Sequence, residues 1–103
     1  MLPGEAHRRV EGGAVLVDVR SAPRRESDGT IPGARILDRT RVAAEIGVDG
    51  PDTPIVVVCG SVDGSRPVAE ELIALGYTDV VHVEGGFAAW AEAGLPTAPG
   101  KTF

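Results

Sequence analysis

The residue whose type and setting could do covalent chemistry is Cys59, the only cysteine in the chain. It closes the apolar run Ile55-Val56-Val57-Val58 and opens Gly60-Ser61-Val62-Asp63-Gly64-Ser65, after which a helical pattern starts at Arg66. A strand therefore delivers one thiol to a glycine-containing turn, and the turn feeds a helix N-terminus. Backbone N–H groups and the helix dipole favour negative charge at such a place, and the thiolate is the attacking form of cysteine. The pattern predicts a nucleophile. The plainer reading is a small buried residue at the end of a core strand, and the residues alone leave it open. A lone cysteine cannot close an internal disulfide, and a thiol suits a reducing cytoplasm better than an oxidising compartment.

Positioning that thiol requires a sheet. Four apolar segments provide strand candidates: 14–19 (AVLVDV), 34–37, 55–59 and 80–83 (VVHV). The third is uninterrupted and β-branched, as expected of a strand buried on both faces of a parallel sheet. Helices are expected between them: Pro3 to Glu11, ended by Gly12-Gly13; Arg41 to Ile46, ending at Gly47; Arg66 to Leu75, stopped by Gly76; and Phe87 to Ala93, stopped by Gly94 with Pro96 beyond. Val68, Leu72 and Leu75 at i, i+4, i+7 predict the buried stripe of the third helix. Ser65 is its natural N-cap, and Pro67 sits in its first turn. The segment from Ser21 to Pro32 is polar, with Arg24, Arg25, Glu26 and Asp28, and reads as a surface loop.

Strand–helix alternation of this kind predicts an α/β fold: a mostly parallel sheet with helices on both faces. Ligands of such sheets bind beyond the carboxyl ends of the strands, which is where Cys59 falls. We expect one domain over residues 1–98 and a frayed tail over 99–103. Acidic side chains outnumber basic ones by 15 to 10, giving a net charge of −5, which argues against nucleic acid or an anionic membrane as the partner. No apolar stretch approaches the roughly 20 residues of a spanning helix, and the N-terminus lacks the pattern of a signal peptide. The expected setting is cytoplasmic.

Four stretches, in order, resemble one family. Gly13 to Arg20 ends in Asp-Val-Arg; Asp28-Gly29-Thr30-Ile31-Pro32-Gly33-Ala34 is similar to a Gly-His-Ile-Pro-Gly-Ala element; Val57-Val58-Cys59 leads into a short loop and a helix; and Glu84-Gly85-Gly86-Phe87-Ala88-Ala89-Trp90 precedes Ala93-Gly94-Leu95-Pro96. Together they resemble a single-domain rhodanese, a sulfurtransferase module, over nearly the whole chain. The resemblance implies the rhodanese-like three-layer sandwich and the transfer of sulfane sulfur from a donor such as thiosulfate to a thiol or other nucleophile. Two positions depart from the family. Thr30 stands where histidine is usual, a change expected to alter loop packing and not chemistry. Gly64 stands at the sixth position from Cys59, where arginine is frequent, so the nearest loop-side cation is Arg66.

The reaction implied by the resemblance makes three demands. A Cys59 thiolate attacks the outer sulfur, an anion site holds the donor's charge, and the Cys59 persulfide waits for its acceptor. Backbone N–H groups of Gly60, Ser61, Val62, Asp63, Gly64 and Ser65 can cradle the persulfide, with Arg66 and Arg20 as candidates for the donor's charge. Asp18 either lines the pocket or holds loop N–H groups. Asp63 would oppose an anionic donor unless it points outward. His7 and His82, without acidic or cysteine neighbours at ligand spacing, are expected to be structural; Phe87 and Trp90 are expected in the core. No cofactor or metal is expected, and the partners are a small sulfur donor and a thiol acceptor, with a protein acceptor as one form of it. The alternative function is a non-catalytic rhodanese-like binding or regulatory module, which Gly64 keeps open. A tyrosine-phosphatase loop would need arginine where Ser65 stands, and neither Cys-x-x-Cys nor a phosphate-binding Gly-x4-Gly-Lys loop is present.

Overall fold

The computed structural model describes residues 1–38, 40–46, 50–59 and 66–98. In chain order the elements are α1 (Pro3–Glu11), β1 (Val15–Asp18), α2 (Ala22–Asp28), β2 (Arg35–Ile36), α3 (Val42–Glu45), β3 (Ile55–Val58), α4 (Arg66–Ala74), β4 (Val80–His82) and α5 (Gly86–Glu92). The strands form one sheet in the order β2-β1-β3-β4, and every pairing is parallel. β3 takes a central place because its four β-branched residues can be buried on both sides, and all four are. Its register sets Val15 beside Ile55 and Asp18 beside Val58 on one flank, and Ile55 beside Val80 on the other.

Side chains alternate across the sheet and divide the core in two. One layer packs Val17, Ile55, Val57 and Cys59 against Val42 and Ile46 near α3 and Val68 and Leu72 of α4. The other packs Leu16, Val56 and Val58 against Ala6 of α1 and Phe87 and Trp90 of α5. Each fully buried aliphatic or aromatic side chain contributes about 1.5–3 kcal/mol, so these two layers hold the sandwich together. The indole of Trp90 also donates to the Pro96 carbonyl at 2.9 Å, tying the chain after α5 back onto the helix. α5 is capped by Gly85, whose φ of +75° is left-handed; a Cβ there would lie 2.7 Å from Ala89 Cβ.

The expected α/β sandwich and all the expected strands and helices are present, with ends moved by at most one residue. Three expectations are corrected. The polar stretch read as a surface loop contains α2, and Ile31 within it is 5% exposed. α2 buries no side chain, so it carries no apolar period to betray it; Pro23 in its first turn and Gly29 at its end define it instead. Leu75 is 60% exposed and does not complete the buried stripe of α4, which is Val68, Ala69 and Leu72. The helix ends at Ala74, and the chain turns through Gly76 before Leu75 can reach the sheet. His7 does have an acidic neighbour: its Nδ1 lies 3.5 Å from Glu11 one turn along, while its ring meets Trp90 edge-on at 5.5 Å. Gly47 as a helix stop, Ser65 as an N-cap and the tail over 99–103 lie outside the described residues. Among the described residues no helix is long and apolar enough to cross a membrane.

Candidate active site

Cys59 sits one residue beyond β3, at the carboxyl edge of the sheet, and is 2% exposed. The ladder on both sides closes just before it: Val19 N–H donates to Val58 O at 3.0 Å, and Val83 N–H donates to Val57 O at 3.0 Å. The next carbonyl, that of Cys59, leaves the sheet pattern and accepts the Phe87 N–H from α5 at 2.7 Å. The strand therefore hands its last carbonyl to a helix on one face. By the alternation of β3, the Cys59 side chain packs on the other face, with Val57, Val42 and Val68.

Residues 60–65, the expected persulfide cradle of Gly60, Ser61, Val62, Asp63, Gly64 and Ser65, lie outside the described residues. The chain is described again at Arg66, where α4 begins. The Arg66 side chain is 63% exposed, and its Nε lies 3.1 Å from Glu70 Oε1 one turn along. An exposed pair of this kind is worth at most about 1 kcal/mol, so Arg66 can exchange Glu70 for another anion at small cost.

Asp18 and Arg20 are the only buried charged residues among those described. The Asp18 carboxylate accepts from the Arg20 backbone N–H at 3.0 Å, from Nε at 3.1 and 3.2 Å, and from Nη2 at 2.8 Å. Arg20 Nη2 also donates to the Gly29 carbonyl at 2.7 Å, and the guanidinium carbon lies 4.0 Å from the centre of the Phe87 ring. Nη1 is buried without a hydrogen-bond partner. Gly29 is the residue that permits this geometry. Its φ is +102°, and a Cβ would lie 2.7 Å from the Ala98 carbonyl. That carbonyl is fixed by reciprocal 2.8 Å bonds between Thr30 and Ala98, so the Thr30 segment is held by backbone pairing. Asp18 follows Leu16 on its face of β1, and Arg20 stacks on Phe87. Both therefore belong to the face of α1 and α5, opposite the Cys59 side chain.

The structure brings Cys59 and the start of α4 to one edge of the sheet and puts the Asp18–Arg20 pair behind it. Residue types and spacing did not reveal that Gly29 and Phe87 complete the pair's surroundings. The nearest available signal was period 2, which sets Arg20 on the face of Asp18. Phe87 and Trp90 are core residues as expected, at 4% and 1% exposure. Among the described residues no group of three or more His, Cys, Asp or Glu side chains gathers as a metal site requires.

Comparison with known proteins adds to this geometry. The model of the rhodanese-like domain matches residues 2–93. Thiosulfate sulfurtransferase GlpE of Pseudomonas savastanoi pv. phaseolicola is 41% identical over 88 residues, covering 85% of this chain and 82% of that protein. The polysulfide-sulfur transferase homodimer of Wolinella succinogenes superposes with a TM-score of 0.82 at 25% identity, covering 94% of this chain and 75% of that one. A Rhodopseudomonas palustris protein of unknown function, described as a possible tyrosine phosphatase, superposes with a TM-score of 0.77 at 31% identity, covering 90% of this chain and 76% of that one.

Proposed function

Because the chain belongs to the rhodanese-like domain family, we propose that it moves sulfane sulfur from a small donor such as thiosulfate to a thiol, through a persulfide on Cys59. The Cys59 thiolate attacks the outer sulfur of the donor. One S–S bond forms, the donor's own S–S bond breaks, and sulfite leaves with the electron pair. The acceptor thiolate then attacks the outer sulfur of the persulfide, and Cys59 departs as thiolate. Backbone N–H groups of residues 60–65 hold the persulfide charge, and Arg66 draws the anionic donor to the rim. Residues 1–98 act as one unit in this reading, in a reducing cytoplasm that keeps the acceptor thiol available, with neither nucleic acid nor a membrane involved.

What carries the reading is the relationship to thiosulfate sulfurtransferases over 85% of the chain, combined with a cysteine at the carboxyl end of the central strand. The test is to incubate the reduced protein with thiosulfate and take its intact mass. A gain of one sulfur atom, reversed by dithiothreitol and absent in Cys59→Ala, supports transfer. No adduct from thiosulfate, mercaptopyruvate or glutathione persulfide would refute it and leave a non-catalytic binding or regulatory module.

A further inference from the structure

The orphan Nη1 of Arg20 invites an assignment as the ligand of the donor's charge, but the geometry points elsewhere. Arg20 stands on the α1 and α5 face, whereas the Cys59 side chain packs on the α3 and α4 face. Two of its three guanidinium nitrogens are already committed, to Asp18 and to Gly29 O. Its guanidinium carbon lies over the Phe87 ring, 4.0 Å from the centroid, well inside the roughly 6 Å over which a cation and an aromatic face attract. The backbone N–H of that same Phe87 donates to the Cys59 carbonyl at 2.7 Å.

We infer that Arg20 and Phe87 are positioning residues for Cys59, acting from the far face of the sheet through this one carbonyl. The inference rests on the sulfur-transfer reading for its catalytic consequence. Asp18 at the end of β1 orients the guanidinium, the guanidinium holds the Phe87 ring, and the ring fixes the first turn of α5. The Phe87 N–H then pins the Cys59 oxygen. That oxygen belongs to the peptide bond leading into residues 60–65, and a peptide bond is planar. Fixing one of its atoms against a helix therefore sets the angle at which the chain leaves β3 with the thiol. Arg20 touches neither donor nor sulfur in this arrangement. Lysine cannot replace it, because one compact ammonium cannot bind Asp18 and Gly29 O in the fork geometry and also sit over the ring.

The experiment compares wild type, Phe87→Leu and Arg20→Lys in two measurements. The first is the single-turnover rate of sulfur loading from thiosulfate as a function of its concentration. Both variants are expected to load about tenfold more slowly at saturating thiosulfate, since small misplacements of a reacting group cost this much or more. The half-saturating concentration is expected to stay within about twofold, because the affected residues make no donor contact. A rise of tenfold or more in that concentration for Arg20→Lys, with an unchanged maximal rate, would make Arg20 a donor ligand and overturn the inference. Wild-type loading by Phe87→Leu would overturn it too.

The second measurement is amide hydrogen exchange, read on peptides covering residues 59–66 and, separately, β1 and β3. Faster exchange confined to 59–66 in Phe87→Leu is expected; equal acceleration throughout the sheet would reduce Phe87 to general packing and defeat the inference. If wild type takes up no sulfur, the sulfur-transfer reading fails, while the exchange pattern still decides whether Arg20 and Phe87 hold Cys59. Should Phe87→Leu not fold, Phe87→Met, whose unbranched, flexible side chain fills an irregular space more readily, takes its place.

Discussion

Replacing Asp18 with asparagine keeps the shape of the side chain and removes its charge beside a cation that cannot reach water. Asp18 and Arg20 are each 1% exposed at their side chains, and four contacts of the carboxylate go to Arg20. Asparagine keeps one oxygen for the Arg20 N–H but must present an NH2 group where Nη2 now donates at 2.8 Å, setting donor against donor. Breaking a buried pair by removing one partner costs about 3–5 kcal/mol, because the other charge stays buried and uncompensated. Small domains are stable by only about 5–15 kcal/mol, so the variant should lose about a fifth or more of its stability. At about 4 °C or more per kcal/mol for a domain of this size, the melting temperature should fall by at least about 12 °C. Urea and thermal melts can be followed through the fluorescence of Trp90, the only tryptophan, which is 1% exposed. The double variant Asp18→Leu with Arg20→Met removes both charges and should recover at least half of the loss. A loss below about 1 kcal/mol for Asp18→Asn, or a double variant no more stable than the single one, would refute the assignment of an uncompensated buried charge.

Three further outcomes follow from particular residues. Leu72→Ala should cost about 2–5 kcal/mol in urea melts, whereas Leu75→Ala, three residues on but exposed beyond the end of α4, should stay within about 0.5 kcal/mol of wild type. Gly29→Ala should lower stability by about 1–3 kcal/mol, because its φ of +102° and the Ala98 carbonyl 2.7 Å from the new Cβ both oppose a side chain; an unchanged melting temperature would contradict that backbone geometry. Gly64→Arg restores the cation frequent in the family at that position and should speed sulfur loading from thiosulfate about tenfold or more, measured by timed intact mass; no acceleration would show that Arg66 already meets the need.

Much of this protein was legible in short-range patterns. An uninterrupted, β-branched Ile55 to Val58 reads as a buried strand, and Gly13, Gly76 and Gly94, all at positive φ, turn the chain out of its helices by local backbone preference. Cys59 stood out for the same reason, since strand, thiol and helix start are neighbours in the chain. α2 was hidden because it buries no side chain, and Leu75 misled because helical spacing continues on paper after the helix has turned away. Period and spacing report which face a residue could bury, not whether a partner is there to cover it.

Only the tertiary structure decided what stands behind the thiol. Arg20, Gly29, Cys59 and Phe87 are scattered over the chain, and no local rule couples them. They meet because the sheet places β1 beside β3 and lays the first turn of α5 across the carboxyl ends of both strands. Sequence alone singled out Cys59 as the candidate nucleophile, because strand, thiol and helix start are neighbours in the chain, and the resemblance carried by four separate stretches supplied the sulfur chemistry. Which face Arg20 takes, and therefore whether it holds the donor or the cysteine's own backbone, depends on strand register and helix docking, which are set by the packing of the whole core.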